Sequence, residues 1–347
     1  MARHHRPSIM SVSYSLIQWN PHKRVYDIVV TLAIFIIFAG FVLISKLTAP
    51  DGEAISDEVL LIRASAVCGF TLLNITLAIG PLARLWPAAA ALLYNRRHLG
   101  VATFLVCLFH ATLATLYYGA FGGVNPLRAI LGSGDLRSVS GFPFEWLGVA
   151  ALLILALLAA TSHDFWLNVL SPRLWKWLHT LVYLVYVLLV AHVLLGALQS
   201  ERHWSHAAAL TAGAAMLAVL HTIAAISQHR ADRLASREAA TWLTVAEIND
   251  FTECRARTVC PQGRKSIAVL LHQGEFHAVA NTCVHQGGPL GEGAIIDGCI
   301  TCPWHGYQYL PQTGASPPPF TEKLATYEVR VEGRTVQVRS LPKDQTT

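Results

Sequence analysis

The sequence predicts a membrane-embedded, all-α bundle of six helices followed by a small all-β domain. Three observations carry this expectation. The 347-residue chain is 53% hydrophobic and only 14% charged, with a mean hydropathy of +0.44, too apolar for an ordinary soluble protein. The apolar residues gather before residue 228, in six stretches close to bilayer-spanning length. After residue 241 the pattern turns to short, strand-like runs bounded by turn residues.

The six stretches are Val25–Leu47, Leu60–Leu82, Leu99–Tyr118, Trp146–Thr161, Trp175–Leu198 and Ala207–Ser227. A bilayer core takes about 20 apolar residues per helix. The fourth stretch is the shortest, and Phe142–Phe144 can extend it. The polar, basic residues 1–24 form an N-terminal segment and residues 25–227 the membrane domain. The apolar run after residue 24 is too long for the h-region of a cleaved signal peptide. Residues 228–241 form a charged linker that continues the sixth helix, 242–341 the β domain and 342–347 a tail.

Charge sets the sidedness. Residues 242–347 carry nine Lys/Arg and ten Asp/Glu, a net −1, so the positive excess, +6 against the chain's formal +5, lies in the first 241 residues. It is a topology signal rather than a nucleic-acid footprint. Arg3, Arg6, Lys23 and Arg24 precede the first span, Arg96 and Arg97 the third, and Arg173 and Lys176 enter the fifth. Arg230, Arg233 and Arg237 follow the sixth, whereas the first outer loop holds Asp51, Glu53, Asp57 and Glu58. Arg128 and Arg137 in the third-to-fourth loop run against the trend. The balance predicts both termini in the cytoplasm of a bacterial-type inner membrane.

In the β domain the clearest strands are Ser266–Leu271, Glu275–Ala280, Ala325–Val331 and Thr335–Arg339, the last two joined at Gly333. Pro317-Pro318-Pro319 is a stiff, non-helical stretch. Seven cysteines show no disulfide-framework spacing.

The chemistry-bearing motif of this domain is Cys283-Val284-His285 and, sixteen residues on, Cys302-Pro303-Trp304-His305. Two thiolates for one iron and two imidazoles for the other are the ligand set of a [2Fe–2S] cluster whose potential lies above that of an all-Cys cluster. A structural zinc site is the competing reading, but zinc sites usually pair C-x₂-C with H-x₃₋₅-H. Gly287, Gly288, Gly291 and Gly306 allow backbone to approach the cluster. Residues 242–340 resemble a Rieske ferredoxin domain through Asn281–Leu290 and Gly298–Tyr307. The resemblance implies that Cys283 and Cys302 bind one iron and His285 and His305 the other. Respiratory, quinol-oxidising Rieske proteins carry a disulfide cysteine in each loop, where this chain has Gly288 and Trp304. Their serine and tyrosine donors correspond to Tyr307 and Tyr309 here, so the serine is missing and a potential low in the range of about −150 to +300 mV is expected. A Rieske oxygenase would need a further mononuclear-iron domain, for which no chain remains.

Histidines inside spans are functional candidates. His110 lies on the third span, and His179 and His192 on the fifth, thirteen residues and therefore about 20 Å apart. That separation suits one ligand near each membrane face. His110 and His192 share an outer depth and can pair. His179 lies near the cytoplasmic end, where His98 or His221 can be its partner. Thirteen residues is not a whole number of turns, so the two azimuths differ on an ideal helix unless it carries a local irregularity.

Arg96–Gly100 through His110, and Trp175–His179 through His192, resemble the ferric-reductase-like transmembrane family over residues 60–227. Within it the chain is most similar to the haem membrane subunit of the periplasmic methionine-sulfoxide reductase system, and Ala160-Thr161-Ser162 also matches. The resemblance implies one or two b-type haems on His110, His179 and His192, with His98 as the further candidate. The joint expectation is an oxidoreductase acting as an electron-transfer component. Electrons would pass between a cytoplasmic donor (a ferredoxin or reductase), the cluster, the haems and a periplasmic or extracellular acceptor. Quinone linkage through the same haems and a membrane-anchored redox sensor are the alternatives.

Overall fold

The structure is a computed structural model that describes residues 21–48, 55–120, 125, 126, 128, 142–163, 166, 170–196, 198, 204–237, 241–261, 264–304, 306–318 and 320–343. Arg3, Arg6, Asp51, Glu53, Arg137, His305 and Pro319 lie outside the described residues. The helices are α1 Pro21–Thr48, α2 Asp57–Leu85, α3 Arg96–Ala120, α4 Glu145–Ala160, α5 Pro172–His179, α6 Leu181–Leu195 and α7 Trp204–Arg237. Five helical spans among the described residues are long and apolar enough to cross a membrane, with α5 and α6 forming one of them, and α4 is a shorter apolar helix. The six-span expectation therefore holds, and the chain is a multi-pass membrane protein.

Local chemistry sets the helix ends. The Ser56 hydroxyl accepts from the Val59 N–H at 3.4 Å, and Asp57 and Glu58 fill the first turn of α2, where carboxylates meet the positive end of the dipole. Pro81 interrupts the ladder of α2, and Trp86 turns extended ahead of Pro87. A 3₁₀ segment, Pro87–Leu93, then leads to α3. Threonine hydroxyls at 71, 76, 103, 112, 115, 211 and 222 return to the carbonyl four residues back, leaving no bare donor toward lipid.

The helix α2 is the most enclosed, with 56% of its apolar window buried against 0% for α1. Leu73, Leu77, Ala151, Leu155, Val185 and Leu217 form the interior where α2, α4, α6 and α7 meet. Within it Tyr186 donates to Asn74 Oδ1 at 3.1 Å, and Asn74 Nδ2 donates to the Phe70 carbonyl at 2.8 Å. Phe35, Ile36 and Leu47 face outward, as lipid contact requires.

The fifth span is not one continuous helix. Thr180 breaks it between α5 and α6. The Thr180 N–H is shared by the Lys176 and Trp177 carbonyls, both at 3.1 Å, and the Tyr183 N–H bonds the Thr180 carbonyl. This local tightening sits between His179 and His192, so an ideal-helix azimuth does not relate the two imidazoles.

The C-terminal domain contains two antiparallel sheets. The six-stranded sheet runs β1-β9-β8-β4-β3-β2, where β1 is Trp242–Glu247, β2 Ala256–Val259, β3 Ile267–His272, β4 Glu275–Ala280, β8 Thr326–Glu332 and β9 Thr335–Pro342. The smaller sheet runs β5-β6-β7, from Ala294–Ile296, Cys299–Thr301 and Gln308–Tyr309. All four expected strands are present, and Gly333 turns β8 into β9. Ile267 and Val269 point to a core with Val336 and Val338, while Ala268 and Leu270 point to the core beneath the cluster loops. Strand β3 is thus buried on both faces, which its unbroken apolar sequence requires.

Candidate functional site

Two loops of the same construction carry the cysteines. The Gly287 N–H bonds the Cys283 carbonyl at 2.9 Å, and the Gly306 N–H bonds the Cys302 carbonyl at 2.9 Å. The Cys283 N–H returns to the Gly288 carbonyl and the Cys302 N–H to the Tyr307 carbonyl, again at 2.9 Å. Gly287 and Gly306 have φ of 80° and 70°, a left-handed turn that glycine adopts without steric cost. Each loop therefore presents its cysteine at one fixed position of a tight turn.

The loops meet face to face. A Cβ at Gly288 would stand 2.7 Å from Cys302 Sγ and 3.1 Å from the Trp304 ring. Gly288 and Trp304, which replace the disulfide cysteines of the respiratory branch, are in contact here, and the cradle leaves no space for a side chain. Cys283, His285 and Cys302 are buried, at 2%, 1% and 1% exposure. The Cys302 side chain is the main hydrogen-bond partner holding the Cys283 thiol down to about 7, against the upward push of burial, with Tyr309 adding to the effect. A sulfur so disposed is ready to ligate as thiolate. His285 stacks on Tyr307 with centroids 5.3 Å apart and planes at 14°. Tyr307 donates to Glu322 Oε2 at 2.6 Å and packs on Phe320, so Phe320 and Glu322 brace the ring that stacks on His285. His305 was expected to complete the set and lies outside the described residues. Two buried sulfurs and a buried imidazole around a side-chain-free cradle fit a Rieske cluster.

The histidines of the membrane domain share a different device. His110 Nδ1 lies 3.0 Å from the Ile62 carbonyl, His179 Nδ1 2.9 Å from the Trp175 carbonyl, and His192 Nδ1 2.8 Å from the Phe144 carbonyl. A carbonyl only accepts, so each Nδ1 carries the proton and each Nε2 has its lone pair available. This is the second-shell arrangement of a metal-ligating imidazole. The His179 Nε2 additionally has Ser162 Oγ at 3.5 Å, and Trp175 stacks on the ring at 3.8 Å. His110 and His192 lie within coulombic range of one another, on α3 and α6. A Cβ at Gly148 would be 2.9 Å from His192 Cε1, so α4 makes room for that ring by lacking a side chain.

His98 and His221 are held differently. His98 Nδ1 meets Asp27 Oδ1 of α1 at 2.7 Å. His221 donates a ring N–H to the Leu77 carbonyl, its Nε2 is buried without a hydrogen-bond partner, and its ring meets Tyr183 edge-on at 5.6 Å. Sequence reading did not single out Gly148, Glu322 or the three accepting carbonyls. Carbonyls have no sequence signature, and Gly148 is a lone small residue in an apolar run.

Comparison with known proteins agrees with both halves. Residues 241–328 match the Rieske [2Fe-2S] domain family and residues 65–190 the ferric reductase like transmembrane component family. The chain is 35% identical over 102 residues to the anthranilate 1,2-dioxygenase ferredoxin subunit of Burkholderia cepacia, covering 28% of this chain and 92% of that one. It is 34% identical over 146 residues to the protein-methionine-sulfoxide reductase heme-binding subunit MsrQ of Bordetella pertussis, covering 42% of this chain and 66% of that one. Against apoptosis-inducing factor 3 of Mus musculus, identity is 32% over 98 residues, 28% of this chain and only 16% of that protein's length. The chain therefore belongs to the Rieske [2Fe–2S] family over its C-terminal domain and to the ferric-reductase-like transmembrane family over its helical bundle, two electron-transfer modules in one polypeptide.

Proposed function

We propose that this protein carries electrons through a bacterial-type inner membrane, between a cytoplasmic [2Fe–2S] cluster and b-type haems in the bundle, toward a periplasmic or extracellular acceptor. The observation that carries the reading is the shared Nδ1-to-carbonyl bond of His110, His179 and His192, which leaves three Nε2 atoms available to iron. The Bordetella relative is by name a heme-binding subunit. Cluster and haem each take up and release one electron when bound. The residues supply ligation, spacing and burial.

In this reading Cys283 and Cys302 hold one iron of the cluster, and His285 and His305 the other. His110 and His192 hold the outer haem from α3 and α6. His179 holds the inner haem. His98 was the expected further ligand, and His221 is the better-supported partner of His179. Tyr183, one turn beyond His179, touches His221. Arg96 lies within coulombic range of both His179 and His221, where it can pair with a haem propionate. Asp27 on Nδ1 of His98 leaves that ring's Nε2 open as well, so His98 stays the alternative ligand. The basic span ends support a cytoplasmic position for the cluster domain, with a ferredoxin or reductase as the proposed donor.

A redox titration of the purified protein, followed by visible absorption and EPR, tests this. The expected result is a Rieske EPR signal together with low-spin b-haem bands. A protein with a complete cluster that takes up no haem when haem is supplied would overturn it.

A further inference from the structure

Away from the cluster ligands, three side chains of different chemistry converge at the turn end of the β3–β4 hairpin. His272 Nδ1 lies 3.6 Å from Glu253 Oε1, and Cys254 Sγ lies 3.9 Å from His272 Nδ1 and 4.0 Å from Glu253 Oε1. These three ligand atoms all fall within 4.8 Å of one another. None of the separations makes a good hydrogen bond, because the nitrogen-to-oxygen gap exceeds the usual limit and the sulfur contacts sit at theirs. Only long sulfur contacts and one long nitrogen-to-oxygen approach join the three.

We propose that Glu253, Cys254 and His272 form a binding site for a divalent transition metal, with zinc the best-matched ion. Thiolate, imidazole and carboxylate are all zinc ligands, and tetrahedral bond lengths of about 2.0–2.3 Å put ligand atoms about 3.3–3.6 Å apart. The triangle found here is a few tenths of an ångström wider. The carboxylate is already aimed. Glu253 Oε1 accepts the Gln273 N–H at 2.6 Å, the kind of outer hydrogen bond that fixes a metal-binding carboxylate. Glu275, cross-strand from His272, adds negative charge beside the site. The fourth position opens to solvent on the side of Glu253, whose side chain is 51% exposed.

A second observation singles out Cys254. Its φ is 64°, in the left-handed region that favours glycine and that a side-chain-bearing residue occupies at a cost. The backbone here is fixed by two ladders. The Cys254 N–H bonds the Leu271 carbonyl at 2.9 Å, and its carbonyl accepts the Ile295 N–H at 3.0 Å. The site thus ties the large sheet to β5, the first strand of the sheet that carries the cluster loops. A metal ligand explains a cysteine where the backbone asks for glycine.

The test uses full-length protein with its [2Fe–2S] cluster in place, exchanged against zinc and then freed of loose metal. Zinc per chain is measured by plasma mass spectrometry, and cobalt in its place is read by thiolate-to-cobalt absorption. The expected result is about one zinc per chain, lost in both Cys254→Gly and His272→Gln while cluster iron and the Rieske EPR signal stay unchanged. Cys254→Gly relieves the backbone, so failure to fold cannot account for the loss. No zinc on the wild type, or zinc equal in the wild type and both variants, overturns the site.

Discussion

The Tyr309 hydroxyl lies 3.2 Å from Cys283 Sγ and at the same time accepts the Val284 N–H at 3.1 Å. Because the oxygen is already an acceptor, its single proton points at the sulfur. Burial and the neighbouring Cys283 hold this phenol protonated, above the ordinary tyrosine range. A hydrogen bond donated to a cluster sulfur stabilises the more negative, reduced cluster and raises its potential.

Tyr309→Phe is therefore expected to lower the cluster potential. A neutral hydrogen bond is worth about 0.5–1.5 kcal/mol, which for a one-electron couple is about 20–60 mV. An EPR-monitored titration checks the shift, with cluster content unchanged. A potential equal to that of the wild type would mean that the proton points elsewhere.

Gly288→Ala places a methyl group 2.7 Å from Cys302 Sγ, against buried neighbours that cannot retreat. Overpacking of this kind costs about 1–3 kcal/mol. The cost falls on the approach of the two cluster loops. Iron analysis is expected to show cluster occupancy reduced several-fold, with the helical bundle and its haem spectrum intact.

His110→Ala and His192→Ala are expected to delete the same haem if, as proposed, the two imidazoles share one iron. His179→Ala deletes the other. Each variant loses about one haem per chain, counted by the pyridine haemochrome assay. Gly148→Val acts on the same site without touching a ligand. Its side chain meets the His192 ring at 2.9 Å and is expected to perturb only the haem that His192 holds.

His221 and His98 separate in the same assay. His221→Ala is expected to remove or convert the low-spin signal of the inner haem. His98→Ala is expected to leave it, at the expense of the Asp27 contact between α1 and α3. The opposite pattern would make His98 the inner ligand.

Much of this was legible in the sequence because the signals were redundant. A span announces itself through twenty apolar residues, and α2 and α3 lie within a few residues of their expected ends, while α7 runs on to Arg237 through the charged linker read as its continuation. The cluster loops were readable because cysteine and histidine are rare and their spacing is restrictive. The break at Thr180 was not. Nothing in Leu178-His179-Thr180-Leu181 disfavours helix, and the tightening depends on which carbonyls the Thr180 N–H finds. The partner of His179 was likewise undecided, since two histidines at the right depth look alike until Asp27 and Tyr183 are placed beside them. The Glu253–Cys254–His272 cluster joins a turn to a strand end eighteen residues away, a juxtaposition created by the bridge between Glu253 and Leu271.

The central claim is that the cluster feeds the haems within one chain. Stopped-flow mixing of the oxidised full-length protein with a reduced ferredoxin, watching the haem bands, tests it most directly in wild type and in Cys302→Ser. The account predicts rapid haem reduction in the wild type and its loss in the variant, whose haem content is unchanged. Haem reduction at the wild-type rate in Cys302→Ser would contradict it.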